Sequence, residues 1–178
     1  MRAEEARLYE TVSDFEGANI AISAGTVLDQ LLGEVFEEVN CLRYEDISAQ
    51  LEALKKGDVD AVALDLPMAT LIMAQQPEYV IFPEILFEDR YGFVLQKGSA
   101  LTEPFSQIIR EFEADGTLAD LKAKWCSGNE ETMIIDWSAY SLEDRANGTL
   151  RYAYDSAAMP MDYIAADGNA AGCRRGAL

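Results

Sequence analysis

The chain has 178 residues, 49% of them hydrophobic, and a formal net charge of -18 from 32 acidic against 14 basic residues. That apolar content supports a buried core and excludes global disorder. The acidic excess argues against nucleic acid and anionic membrane surfaces as partners, since both are negative.

Histidine is absent, which removes the usual general base and the commonest metal ligand. Cys41, Cys126 and Cys173 are widely spaced and form no C-x-x-C pair, so neither a zinc site nor a disulfide framework is supported. No metal and no cofactor are expected. No apolar run is long enough to span a bilayer, and the opening "MRAEEARLYE" is charged where a signal peptide would be apolar.

In chain order, "NIAISA" reads as a buried strand. Thr26 to Val39 reads as a helix, with Leu28, Leu31, Leu32, Val35 and Phe36 on one face. "CLRYED" is a short strand. "ISAQLEALKKGD" is a helix with Ile47, Leu51 and Leu54 inward, ended by Gly57. "VDAVALDL" is a near-continuous apolar strand, of the kind buried on both faces. Pro67 opens a further helix where proline is tolerated, with Met68 and Met73 read as core. "YVIFPEIL" and "YGFVLQKG" read as two more strands, and Lys97-Gly98 as a surface turn. "EPFSQIIREFEADGTLADLKAKWC" reads as two helices broken at Asp115-Gly116, with Trp125 packed inside. The linker that follows carries Trp137 and a short helix at 141–145. Then come a strand, "TLRYAYD", and a hairpin, "YIAADGNAAG", turning at Asp167-Gly168.

The alternation of strands and helices predicts an α/β fold: a mainly parallel sheet covered by helices on both faces. Ligands of such sheets sit beyond the carboxyl ends of the strands. Gly25-Thr26 follows the first strand and Asp65 the third. A helix mouth with unpaired N–H groups suits an anion. A carboxylate at Asp65 suits an ammonium, and the two together suit a zwitterion. Each residue has a plainer reading as well: Gly-Thr as a turn with a cap, and Asp65 as the cap before Pro67. Asp60 reads as structural, and Glu88-Asp89-Arg90 as a solvated charge cluster.

Three segments in order resemble the amino-acid-type extracytoplasmic solute-binding proteins, also called family 3 periplasmic binding proteins. They are "DFEGANIAISAGT", "LEALKKGDVDAVALDLP" and "YGFVLQKGSALTEPFSQIIREFEADGTLADLKAKW". The family has two lobes with the ligand clamped between them. The resemblance implies that residues 14–96 form a second lobe and 97–126 the helices returning to the first. It implies that Gly25, Thr26 and Val27 hold an amino acid's carboxylate, and that Asp65 holds its ammonium.

By the same resemblance the family's first-lobe opening, with its aromatic platform and clamp arginine, is expected before residue 1, so the clamp arginine has no counterpart in this sequence. Residues 127–148 would be a linker. Residues 149–172 resemble the first strand and hairpin of a following repeat, as in the sensing regions of bacterial receptor kinases, and 173–178 form a tail. Asp155, Pro160, Tyr163, Gly168 and Gly172 fit that pattern, whereas Ala158 and Met161 stand where aromatics are usual. The expected partners are a small amino-acid-like ligand and either the missing lobe or a second copy, in a homo-oligomer that exchanges the tail strand. The expected location is extracytoplasmic. The expected function is non-catalytic binding in a receptor or transporter. The alternatives are a vestigial interaction module, or a dehydratase of the same fold, which would need a cleft acid or base that the sequence does not reveal.

Overall fold

The computed structural model describes residues 1–88, 91–129, 132–133, 151, 153, 157–158, 160–164, 168 and 170–172. The chain divides into two units, Met1–Gly92 and Phe93–Leu178.

The first unit is built on three parallel strands, β1 (Asn19–Ser23), β2 (Asn40–Tyr44) and β3 (Ala61–Val62), in the order β2-β1-β3. Ile20 lies opposite both Cys41 and Ala61, and Ala21 opposite both Leu42 and Val62. Side chains alternate across a strand, so β1 feeds two separate cores. Ile20 and Ile22 pack with Phe15, Leu32, Phe36 and Ala61. Ala21 packs on the other side with Ala53, Leu54, Val59 and Tyr79. The first core takes the apolar side of α1 (Leu28–Val35), and the second that of α2 (Ile47–Lys56). The sheet is therefore covered by helices on both faces, as the pattern of alternation predicts.

Several boundaries differ from the sequence reading. The predicted Thr26–Val39 helix is only eight residues, because Phe36 turns extended and enters the core. The third strand is two residues of ladder, extended on each side by the amides of Asp60 and Ala63, which donate to the carbonyls of Asn19 and Ala21. The segments 79–86 and 91–98 form no strand. A strand needs a ladder partner; Tyr79 makes an isolated antiparallel bridge to Arg2, and Pro83 has no N–H to donate.

Helix α2 is fastened at both ends. The Asp46 carboxylate accepts from the Ala49 amide at 2.8 Å, and Gly57 closes the helix in the left-handed conformation. The Arg2 guanidinium donates to the carbonyl of Leu54 and, at 3.0 Å, to that of Val59. Asp60 is structural: its carboxylate accepts from the Asn19 amide at 2.8 Å. Pro67 lies in the first turn of α3 (Leu66–Gln75), where Met68 and Met73 are half-buried.

In the second unit, α4 (Thr102–Asp115) and α5 (Thr117–Trp125) meet at Gly116, which has φ +90°. Trp125 is buried, and Lys97-Gly98 is an exposed turn. Three short antiparallel strands follow: β4 (Ala157–Ala158), β5 (Asp162–Ile164) and β6 (Ala170–Ala171). The β5–β6 pairing places a hairpin where one was expected, and β4 is an addition to it. Pro160 and Tyr163 are buried, Met161 is half-buried and Ala158 pairs with Asp162. Asp89, Arg90, Trp137, the 141–145 helix, the "TLRYAYD" strand (apart from Arg151 and Ala153), Asp155, Asp167 and the 173–178 tail lie outside the described residues.

Candidate functional site

The order β2-β1-β3 makes the first unit's sheet reverse direction at β1. The chain leaves β1 for α1 and β2 on one side, and returns by α2 to β3 on the other. β1 and β3 are adjacent, at the usual strand spacing of about 4.8 Å, and in sheets that reverse in this way a ligand sits in the crevice outside the carboxyl ends of the strands.

One wall of that crevice is the β1–α1 junction. The Ala24 amide donates to the Tyr44 carbonyl at 2.9 Å, holding the junction to β2. Gly25 then turns with φ +75°, a conformation that costs a glycine nothing and an L side chain a good deal. Thr26 closes the turn: its hydroxyl donates to the Ser23 carbonyl at 2.8 Å, and its amide to the same oxygen at 3.4 Å. Val27 is the N-cap of α1, whose ladder opens with the Gln30 and Leu31 amides donating to the Val27 carbonyl at 3.0 and 3.1 Å. Gly25, Thr26 and Val27 are all exposed. The hydroxyl of Thr26 thus shapes the turn.

The other wall is Asp65. It occupies the N-cap position of α3, yet its side chain makes no capping hydrogen bond. Its carboxylate instead accepts from the Tyr91 hydroxyl at 2.8 Å and remains exposed. The plain reading of Asp65 as a side-chain cap is therefore not what the geometry shows. An acidic group that leaves the helix it precedes and is steadied by a phenol can take a cation. Of the four expected residues, Gly25, Thr26 and Val27 follow β1 and Asp65 follows β3, its neighbour in the sheet.

The sequence reading passed over Tyr91, which it placed in a strand, and Ser23 and Gln50. Ser23 is the last residue of β1, and its hydroxyl accepts from Gln50 Nε2 at 2.8 Å. A glutamine on the face that also carries Ala53 and Leu54 was the available signal. A hollow of about 420 Å³ lined by Arg2, Lys55, Glu78 and Tyr79 lies at the opposite end of α2. Its arginine is committed to carbonyls and to Glu5, so it offers no convergent chemistry. Among the described residues no acidic or cysteine cluster is placed to hold a metal ion, and no helix is long and apolar enough to cross a membrane. Cys41 and Cys126 are both thiols, and burial pushes the Cys126 thiol above its ordinary range.

Comparison with solved structures decides the fold. A mutant of ArgBP from T. maritima superposes with a TM-score of 0.58 at 28% identity, covering 71% of this chain and 55% of that one. An ancestral arginine-binding protein bound to glutamine gives 0.55 at 26% identity, covering 66% and 54%. The fold is periplasmic-binding-protein-like. Curated relatives agree. The L-cystine-binding protein TcyJ of Escherichia coli (strain K12) is 26% identical over 118 residues, 65% of this chain and 44% of that protein. The ABC transporter glutamine-binding protein GlnH of Bacillus subtilis (strain 168) is 23% identical over 111 residues, 62% and 41%. No protein-family model matches the chain. The homologues are amino-acid-binding proteins, and the chain spans less than half the length of these two.

Proposed function

We propose that this chain binds a free amino acid or a similar zwitterion, without catalysis, as one lobe of a bilobed extracytoplasmic receptor or transporter domain. The N–H groups at Val27, behind the Gly25-Thr26 turn, take the carboxylate, and Asp65 takes the ammonium. The observation that supports the reading is Asp65: a helix-cap aspartate whose carboxylate makes no capping bond and is held instead by the Tyr91 hydroxyl, just after the strand that neighbours β1. The names of the homologues, which bind cystine and glutamine, support the ligand class. A ligand bridging two lobes favours the closed state, and that closure is the output of the domain. Residues 14–96 are read as the second lobe, 97–126 as the return helices, and 149–172 as the start of a following repeat.

Thermal unfolding across a panel of amino acids tests this. A ligand that binds the native state raises the midpoint by mass action. The expected result is a rise with at least one amino acid in the wild type and none in Asp65→Ala. A cooperatively unfolding chain whose midpoint no amino acid moves would refute binding by this lobe. It would favour a module that acts through its surface.

A further inference from the structure

Gln50 is an amide on an otherwise apolar helix face. It shares that face with Ala53 and Leu54 and has 0% exposure. Its Nε2 donates to Ser23 Oγ, and its Oε1 has no partner among the described residues. Burying an amide with an unmet oxygen costs stability, so an aliphatic side chain would serve the core better. What the position gains is a hold on Ser23.

Ser23 is where the Gly25-Thr26 turn is anchored. Its carbonyl accepts both the hydroxyl and the amide of Thr26. Its hydroxyl is held by Gln50 from a helix fixed at one end by Asp46 and at the other by Gly57 and Arg2. Helix α2 starts at the carboxyl end of β2, which is level with the carboxyl end of β1 because Ser23 pairs with Tyr44. Gln50 therefore reaches the turn from within the first turns of a rigid element.

We propose that Gln50 is a positioning residue for the Thr26–Val27 cradle: through Ser23 it sets the direction in which the first amides of α1 face the crevice. Its role in binding rests on the carboxylate reading given above; its hold on the turn does not.

The test compares the full chain with Gln50→Met and Ser23→Ala, singly and together, by amide NMR spectra and hydrogen exchange. Titration with L-arginine, L-glutamine and L-cystine accompanies it. In Gln50→Met the amide signals of residues 24–28 shift and the hydrogen-bonded amides of Ala24 and Thr26 exchange at least about tenfold faster, while those of α2 and the sheet core keep their protection. Ser23→Ala does the same, and the double variant adds nothing further, because the two residues act as one contact. Unchanged signals at 24–28, or exchange that quickens equally throughout the unit, overturns the proposal. So does a wild type that binds one of these amino acids with an affinity Gln50→Met retains. A wild type that binds none of them, with the turn loosened in Gln50→Met, upholds the positioning role and retires the carboxylate reading instead.

Discussion

Gly25 and Gly33 offer the same substitution in opposite circumstances. An added Cβ would meet nothing within 4 Å at either site, so neither change is about crowding. Gly25 has φ +75° and Gly33 lies inside α1. At Gly25, alanine must adopt the left-handed region, at about 1–2 kcal/mol. The stiffer unfolded chain offsets about 0.4–1 kcal/mol of that. The net loss for Gly25→Ala is then close to 1 kcal/mol. At Gly33 the backbone already suits alanine, and Gly33→Ala gains about 0.5–1 kcal/mol. Urea unfolding of the two variants reads this directly. With a slope of about 1–3 kcal/mol/M, the midpoints move apart by roughly 0.5–2 M, down for Gly25→Ala and up for Gly33→Ala. Midpoints that move in the same direction would refute the argument, because only the backbone conformation distinguishes the two sites.

Asp46→Ala removes the cap of α2 and lowers stability by about 1 kcal/mol, whereas Asp46→Ser keeps most of it; urea midpoints check both. Leu54→Ala leaves a hole beneath α2 in the second core and costs about 2–5 kcal/mol by the same assay. Tyr91→Phe takes from Asp65 the phenol that steadies it. Its expected signature is weaker amino-acid binding by calorimetry, with stability changed by less than about 1 kcal/mol. Hydrogen bonds from the backbone and hydroxyl of Thr11 and the amide of Glu10 hold the Asp14 carboxyl below its ordinary range. Its folded value is depressed, so its contribution is present above the unfolded value and lost as pH falls through the folded one. The stability margin of wild type over Asp14→Ala is thus expected to be full above the ordinary Asp value of about 4 and to shrink as pH falls below it, followed by urea midpoints.

Local signals carried most of the first unit. The Gly57 stop, the Pro67 start and the break at Gly116 each depend on one residue's backbone preference, and each stands where the sequence placed it. The parallel order β2-β1-β3 likewise makes the strands before Gly25-Thr26 and before Asp65 neighbours. The segments 79–86 and 91–98 were misread for a physical reason. Alternating β-branched and aromatic residues say that a stretch can be a strand, whereas pairing depends on a partner elsewhere in the chain. The Tyr91–Asp65 contact joins residues 26 apart in sequence, and no local pattern encodes it. Gln50 was legible in part: an amide at a helix position whose neighbours three and four residues on are buried asks for an explanation.

The central place of β1 also dictates an order of assembly. Pairing β1 with β2 closes a loop of about 20 residues and pairing it with β3 one of about 40, a doubling that adds about 0.6 kcal/mol of closure entropy. The later pairing is also the briefer, two ladder residues against five. Helix α3 and the β3 strand are accordingly the part of the sheet that opens most readily, and Asp65 travels with them. The Gly25-Thr26 turn is held by Ser23 and, through the Ala24 amide, by Tyr44 of β2, so it does not depend on that pairing. Any molecule bridging the two walls is then a clasp on the sheet itself, and the exchange rates of the Val62 and Ala63 amides measure how firmly it is fastened.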